Sequence, residues 1–149
     1  MQWLDIPPVW LVASILLARA IGLWDPLGLS FGGAWAMLAA GLLIGAGLIL
    51  MILAVFELRR NRTTVIPHRE AERLVTSGVF RRSRNPIYLG DALILAGFIL
   101  RFDAPLALPL LPLFVRLIER RFILPEEDRL RRRFRLDWAR YERDTRRWL

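Results

Sequence analysis

The chain has 149 residues, 55% of them hydrophobic, a mean hydropathy of +0.37 and a formal net charge of +8. That length makes one domain, and a soluble domain rarely joins so apolar a composition to so large a charge; long uncharged runs alternating with dense arginine clusters are the pattern of an integral membrane protein. The absence of cysteine excludes a disulfide framework, a thiol nucleophile and a thiolate metal site, and the single histidine, His68, argues against a histidine-based metal centre, so no metal is expected.

All 22 basic residues are arginine. They flank apolar spans, as the positive-inside rule requires, and no nucleic-acid motif accompanies them, so a membrane rather than a nucleic acid is the expected partner. Residues 1–8 form a short leader with Asp5 and no basic residue, unlike a cleavable signal. Residues 9–24 are the first apolar span, with Trp3, Trp10 and Trp24 suited to the interfaces. Arg19 inside it either snorkels or packs between helices, or else contacts a substrate. After a turn at Asp25-Pro26-Leu27-Gly28, residues 31–56 form an uncharged run long enough to cross a hydrocarbon core of roughly 30 Å. Gly41 and Gly45, four apart on one face, leave room for close approach of another helix, from this chain or from a second copy in a homo-oligomer.

Residues 57–85 are the first polar segment. From Glu57 to Arg84 it holds eight arginines against the acids Glu57, Glu70 and Glu72. Pro67 and Gly78 break it into loops and short elements. Residues 86–102 are the third span, with Asn85 as its cap and Pro86 in its first turn. Tyr88 and Asp91 share a face of it, above Leu95. Asp91, ionisable and near the membrane surface, is either functional or paired with a local arginine. Residues 105–118 are the fourth span, with a kink expected from Pro109 and Pro112 and with Arg116 snorkelling. Residues 119–149 are the second polar segment, where Leu130, Phe134, Trp138 and Tyr141 form an apolar stripe on a basic helix. Such a helix lies on an anionic membrane surface or on the protein's own cytoplasmic face. The fold expected is therefore an all-α integral membrane protein with about four transmembrane helices and a C-terminal amphipathic cytoplasmic helix. Both arginine-rich segments and both termini face the cytoplasm, and the setting expected is a bacterial or archaeal inner membrane.

Two sites stand out, both expected at the cytoplasmic surface: residues 84–90, Arg-Asn-Pro-Ile-Tyr-Leu-Gly, and Pro125-Glu126-Glu127. Each alone reads as an ordinary helix start. Together they offer carboxylates for an ammonium group, and an arginine with backbone N–H groups for a carboxylate, as an amino-acid-bearing cofactor requires.

The ordered set Leu74-Val75-Thr76-Ser77-Gly78-x-Phe80, then Arg84-Asn85-Pro86-x-Tyr88-x-Gly90, a helical hairpin, then Glu126-Glu127-x-x-Leu130-x-x-x-Phe134 and a C-terminal Tyr141 closely resembles the isoprenylcysteine carboxyl methyltransferase family. The related membrane phospholipid N-methyltransferases share the layout. The likeness spans roughly residues 63–147. It implies an integral membrane methyltransferase that uses S-adenosylmethionine, yields S-adenosylhomocysteine, and acts on a lipid or lipidated small molecule. Carried over by position, the cofactor contacts are Glu72, Leu74, Val75, Phe80, Asn85, Pro86, Tyr88, Glu126 and Glu127, with Glu126 on the cofactor ammonium. Arg84, Tyr88 and Asp91 take the catalytic positions. Arg120 and Arg121 stand nearest the place of the family's substrate-carboxylate arginine, which Phe122 occupies here. The sequence departs from the family at Asn85, where a histidine is usual, at Phe134-Arg135, where a Phe-Gly pair is usual, at Trp138 for a tyrosine, and at Thr145-Arg146-Arg147 for Val-Pro-Arg.

A carboxylate acceptor is already anionic and needs no base, whereas an amine must first lose a proton. Few bases accompany Asp91 and the glutamate pair, which favours an isoprenylcysteine-type carboxylate or another anionic or thiol acceptor. Phospholipid N-methylation, with Asp91 as base, is the alternative, and a non-enzymatic scaffold with a basic lipid-binding tail is the third reading.

Overall fold

A computed structural model describes residues 6–63 and 73–149. Trp3, His68, Glu70 and Glu72 lie outside the described residues. Among those described the protein is all helical, with no strand.

Helix α1, Pro7–Trp24, opens on a Pro-Pro pair, whose missing N–H groups and fixed φ suit a first turn. It stops at Asp25, which precedes Pro26 and is driven out of the helical region by that ring. Helix α2, Ala34–Arg60, starts after Gly32 and Gly33, both at positive φ, and ends where Asn61 turns its side-chain amide back to the Glu57 carbonyl at 2.8 Å. Its start is tied to the far end of the bundle. Asp103 accepts from the Ser30 hydroxyl at 2.5 Å and from the Phe31 N–H at 2.7 Å, and these bonds hold its carboxyl below the usual value.

Helix α3, Pro86–Arg101, is the central element, with Tyr88, Asp91, Ile94, Leu95 and Ile99 all buried. It packs antiparallel on α2 through glycines. A Cβ at Gly47 would lie 2.7 Å from the Gly90 carbonyl oxygen, one at Gly90 would lie 2.8 Å from the Gly47 oxygen, and one at Gly97 would lie 2.9 Å from the Ala40 oxygen. Such small-residue crossings let two backbones meet where side chains would hold them apart. The glycine of α2 that does this is Gly47. Gly41 and Gly45 face open space within the chain. Parallel to α3 runs α1, with Gly22 against Ala104 and the Arg19 guanidinium 5.5 Å from the Phe102 ring centre, so Arg19 packs between helix ends.

The fourth apolar stretch differs from its expected form. A short 3₁₀ turn, Pro105–Ala107, leads into α4, Leu110–Ile118, which has only nine residues and is about 14 Å long. Pro109 is its N-cap and Pro112 falls in its first turn, where the N–H groups are unpaired anyway, so these prolines start the helix instead of kinking it. Nor does the helix stop at residue 118. It widens into a π turn, Glu119–Ile123, and continues as α5, Leu124–Asp144. The cation–π contact of Arg121 over Trp10, 5.5 Å from the ring centre, places the π turn beside the start of α1.

Two helices, α1 and α2, are long and apolar enough to cross a membrane, with 18 and 27 residues and mean hydropathies of 1.5 and 2.7. Their outer faces expose Leu16, Leu17, Leu38, Leu42, Ile49, Ile52 and Phe56. Left in water, each such side chain forgoes roughly 1.5–3 kcal/mol of burial, a total on the scale of a domain's whole stability. A hydrocarbon solvent removes that penalty.

The α2–α3 contact is directly testable. Gly90→Ala forces the helix backbones apart and lowers stability by about 1–3 kcal/mol, the usual cost of overpacking, read as thermal unfolding in detergent. Gly41→Ala leaves the midpoint within experimental scatter; a change in its oligomeric state would instead mark a second chain at that face.

Candidate functional site

One end of the bundle gathers the start of α3, the π turn, both ends of α5 and the chain terminus. The segment before α3 contains a 3₁₀ turn, Gly78–Arg81, which Gly78 enters at φ +58. Phe80 is buried with Val75 against Ala54 of α2. From there the chain reaches α3 alongside its own C-terminus. The Arg84 N–H donates to the Arg146 carbonyl at 3.0 Å, the Asn85 amide to the Arg147 carbonyl at 3.1 Å, and the Ser83 hydroxyl to the same carbonyl at 3.4 Å. Asn85 stands at the N-cap position of α3 but makes no side-chain cap bond; its donor serves the terminus instead. One layer further, the Tyr141 hydroxyl donates to the Phe80 carbonyl at 2.7 Å and Thr145 to the Arg81 carbonyl at 3.4 Å.

Beneath this seam lies a buried ion network. Glu127 is 3% exposed. Its carboxylate takes the Arg147 guanidinium at 2.8 Å and faces Arg84 at 3.5 Å. Arg147 reaches on to Glu119 of the π turn at 2.6 Å, and these two carboxylates, Glu127 first, raise its affinity for its proton. Arg84 also faces Glu142 at 3.2 Å and lies over the Trp138 ring, 5.6 Å from its centre. Burial pushes the Glu142 carboxyl up, but Arg131 and Arg84 more than offset it and hold it low. Burial holds the Tyr141 hydroxyl protonated well above its ordinary value. The Arg84 Nε is buried and makes no hydrogen bond among the described residues.

These contacts require α5 to bend. Arg131 meets Glu142 at 2.9 Å although they are eleven residues apart, a rise of roughly 16 Å in a straight helix. The bend falls on Arg135, at φ 39 and ψ −102, a backbone region open to glycine and costly for any other residue. The stripe expected from Leu130 to Tyr141 is therefore broken. Trp138 and Tyr141, beyond the bend, are buried, while Leu130 and Phe134, before it, are half-buried.

Glu126, next to Glu127 but on another face of α5, goes to α3: its carboxylate accepts from the Tyr88 hydroxyl at 3.2 Å. Arg129, one turn on, is close enough to that hydroxyl to act on it electrostatically. Asp91, one turn beyond Tyr88, is 2% exposed and has no hydrogen bond or ion pair among the described residues, so the arginine partner considered for it is not found there. On the other side, a cavity of about 740 Å³ opens between Leu74, Thr76 and Arg81 and the α5 residues Phe134, Asp137 and Tyr141.

The residues singled out from the sequence thus fall into three connected groups. Tyr88, Asp91 and Glu126 meet at the head of α3. Arg84 and Glu127 form the ion network, with Pro86 buried and Asn85 bound to the terminus. Leu74 lines the cavity, with Val75 and Phe80 buried beside it. Arg120 is exposed, and Arg121 turns to Trp10. The sequence marks Arg147 only as the arginine that ends the Thr145-Arg146-Arg147 stretch, and Glu142 only as a member of a charged run. Among the described residues no group of three or more His, Cys, Asp or Glu side chains could hold a metal ion.

The model of the phospholipid methyltransferase family matches residues 35–136. The chain belongs to this family, which makes it a membrane methyltransferase of lipid-like substrates. The match runs from the first turn of α2 to just past the bend of α5, taking in Tyr88, Asp91, Glu126 and Glu127 and leaving out α1 and the closing tail. No curated protein and no solved structure matches the chain.

Two substitutions should move stability in opposite directions in thermal unfolding. Glu127→Ala removes the carboxylate that Arg84 and Arg147 share, leaving Arg84 only Glu142 and Arg147 only Glu119, and costs about 3 kcal/mol, the lower end for breaking a buried pair. Arg135→Gly relieves the strained bend and gains about 1–2 kcal/mol.

Proposed function

We propose that the whole chain is one membrane methyltransferase domain that crosses the bilayer four times and transfers a methyl group from S-adenosylmethionine to a lipid-borne amine of the phosphatidylethanolamine type. The observation that carries the acceptor is Asp91, a buried carboxylate beside Tyr88 with no cation on it among the described residues. A carboxylate so placed attracts an ammonium group and accepts its proton, and it repels an anionic acceptor. This reverses the preference that the scarcity of bases gave the sequence.

The residues present fit the cofactor. The unbonded Nε of Arg84 is a donor for a carboxylate, and Glu126 is an acceptor for an ammonium group. The cavity against Leu74, Phe134 and Tyr141 falls within the usual ligand range of about 300–1,000 Å³ and offers aromatic faces to a nucleoside. When bound, the cofactor supplies an electrophilic methyl group on a positively charged sulfur. The chain's own residues then have separable tasks. Glu126 and Arg84 hold the amino-acid end. Glu127, with both its oxygens on arginines, keeps Arg84 in place. Asp91 takes the proton that the acceptor nitrogen must lose. Val75, Phe80 and Pro86 form buried walls, and Asn85 fastens the chain terminus over them. Positioning of this kind supplies much of the rate of a displacement reaction.

A second reading, methylation of an isoprenylcysteine-type carboxylate, has one observation in its favour: Arg129, on the helix face of Glu126, and Arg121, at the seam with α1, are cations near the α3 head. Titration of S-adenosylhomocysteine into detergent-purified protein tests the cofactor. Wild type binds, and Glu126→Ala weakens binding at least about tenfold, as loss of a charge-assisted bond implies. Labelled cofactor with phosphatidylethanolamine vesicles or a prenylated cysteine tests the acceptor. Asp91→Asn should lower amine methylation about 100-fold with cofactor affinity kept; full turnover by that variant, or label only in the prenylated cysteine, would overturn the amine assignment.

The arginine distribution supports a cytoplasmic site and cytoplasmic termini. Only Arg19 and Arg101 lie outside the two polar segments and the last turn of α4. The chain has no native cysteine, so single cysteines report orientation cleanly. Arg82→Cys should react with an impermeant reagent only from the cytoplasmic side and Ser30→Cys only from the opposite side; the reverse pattern would invert the topology.

A further inference from the structure

Glu57 lies in the last turn of α2, outside every site described above, yet it is 8% exposed. Carboxylates are seldom buried without reason. Its side chain accepts a hydrogen bond from the Ser77 hydroxyl and another from the Asn61 amide at 3.2 Å. Its other oxygen lies against Gly78, so close that a Cβ there would be 2.7 Å away. Gly78 is thus required twice, by its φ of +58 and by the carboxylate pressed on it. The 3₁₀ turn entered at Gly78 carries Phe80, whose carbonyl holds Tyr141, and Arg81, whose carbonyl holds Thr145. The Ser-Gly turn is therefore the hinge by which the cavity wall hangs from α2, and one carboxylate fastens it.

We propose that Glu57 is a positioning residue for cofactor binding: it clamps the Ser77-Gly78 turn to the end of α2 and so fixes the wall from Leu74 to Arg81 that the cofactor meets. The inference rests on the cofactor reading above. It assigns Glu57 no contact with cofactor or acceptor. Its partners are neutral, a hydroxyl and an amide, so glutamine, which keeps the accepting oxygen, should serve in its place.

Three measurements on the full-length protein in detergent test it. The first is tryptic cleavage after Arg81 and Arg82, both exposed and just beyond the clamp, scored by mass spectrometry against cleavage after Arg132 and Arg133 in α5 as an internal standard. Glu57→Ala should raise that ratio about tenfold, as expected when hydrogen bonds to a charged group are lost, and Glu57→Gln should stay within about threefold of wild type. The second is the affinity for S-adenosylhomocysteine, which should fall in Glu57→Ala by a similar factor, with the cofactor KM rising more than kcat falls. The third is a double-mutant cycle. Gly78→Ala loosens the turn by collision with Glu57, so its effect on the ratio should shrink in the Glu57→Ala background. An unchanged ratio in folded Glu57→Ala, a raised ratio with unchanged cofactor affinity, a glutamine variant as poor as alanine, or strict additivity in the cycle would each overturn the proposal. Absence of cofactor binding in wild type would instead refute the cofactor reading, and the cleavage ratios would still report on the clamp.

Discussion

The architecture of the polar end depends on one buried carboxylate. Glu127 lies in the first turn of α5, Arg84 precedes α3, and Arg147 follows α5, and none of the three is a sequence neighbour of another. A charge withdrawn from water is tolerated only with a partner at hydrogen-bond distance, and removing one member leaves the others short of a partner. That penalty makes the contact a constraint as much as an attraction. With Glu127 in place, Arg84 must lie under α5, the terminal residues must return across the head of α3, and α5 must fold back so that Glu142 can reach Arg84 and Arg131. The strained backbone of Arg135 arises from the same requirement, since no straight helix brings those groups together.

The network also separates two glutamates that look equivalent in sequence. Neighbours on a helix point about 100° apart. Glu127 is therefore directed into the arginines, and Glu126 towards Tyr88. The first can do little but hold structure. The second faces the residues available for chemistry. Because two arginines neutralise Glu127 on one side, the acidic character at the head of α3 comes from Glu126 and Asp91. On the amine reading proposed above, this asymmetry, rather than the net basic charge of the chain, is what favours a cationic acceptor.

Much of the fold is legible in the sequence because its signals are local. Hydropathy locates α1 and α2 within a few residues, and Asn85-Pro86 marks the start of α3. The fourth stretch is misread because hydropathy cannot distinguish a helix that ends at residue 118 from one that runs on through a π turn; the π turn keeps every residue helical and leaves no composition mark. At the site, the motif residues Tyr88 and Glu126 do meet. Glu57 and Glu142, and the partners that Arg147 takes, are illegible for another reason. A charged residue in a charged run acquires meaning only from the long-range partner that folding assigns it, and periodicity carries no information about that partner. Small-residue spacing misleads in the same way: Gly41 and Gly45 satisfy the rule, but the contact uses Gly47, because the register between α2 and α3 is fixed by where Gly90 and Gly97 fall on the opposite helix.

That register ties the membrane part of the protein to its chemistry. Gly47 against Gly90 and Ala40 against Gly97 set α3 at a fixed height along α2. The height of α3 determines how deep Tyr88 and Asp91 sit. The same α2, about three turns on from Gly47, presents Glu57 to the Ser77-Gly78 turn and so sets the height of the segment that precedes α3. Both walls of the site are thus referenced to one long helix, the cavity wall through a carboxylate and the α3 head through a glycine contact. A glycine contact is rigid because no side chain can rearrange within it, and a hydrogen bond to a buried carboxylate is directional. In a bilayer no hydrophobic force drives helices together, since lipid tails are as apolar as leucine. On the reading proposed above, holding a water-soluble cofactor and a lipid acceptor in register across that boundary calls for contacts of these two kinds, and α2 supplies both.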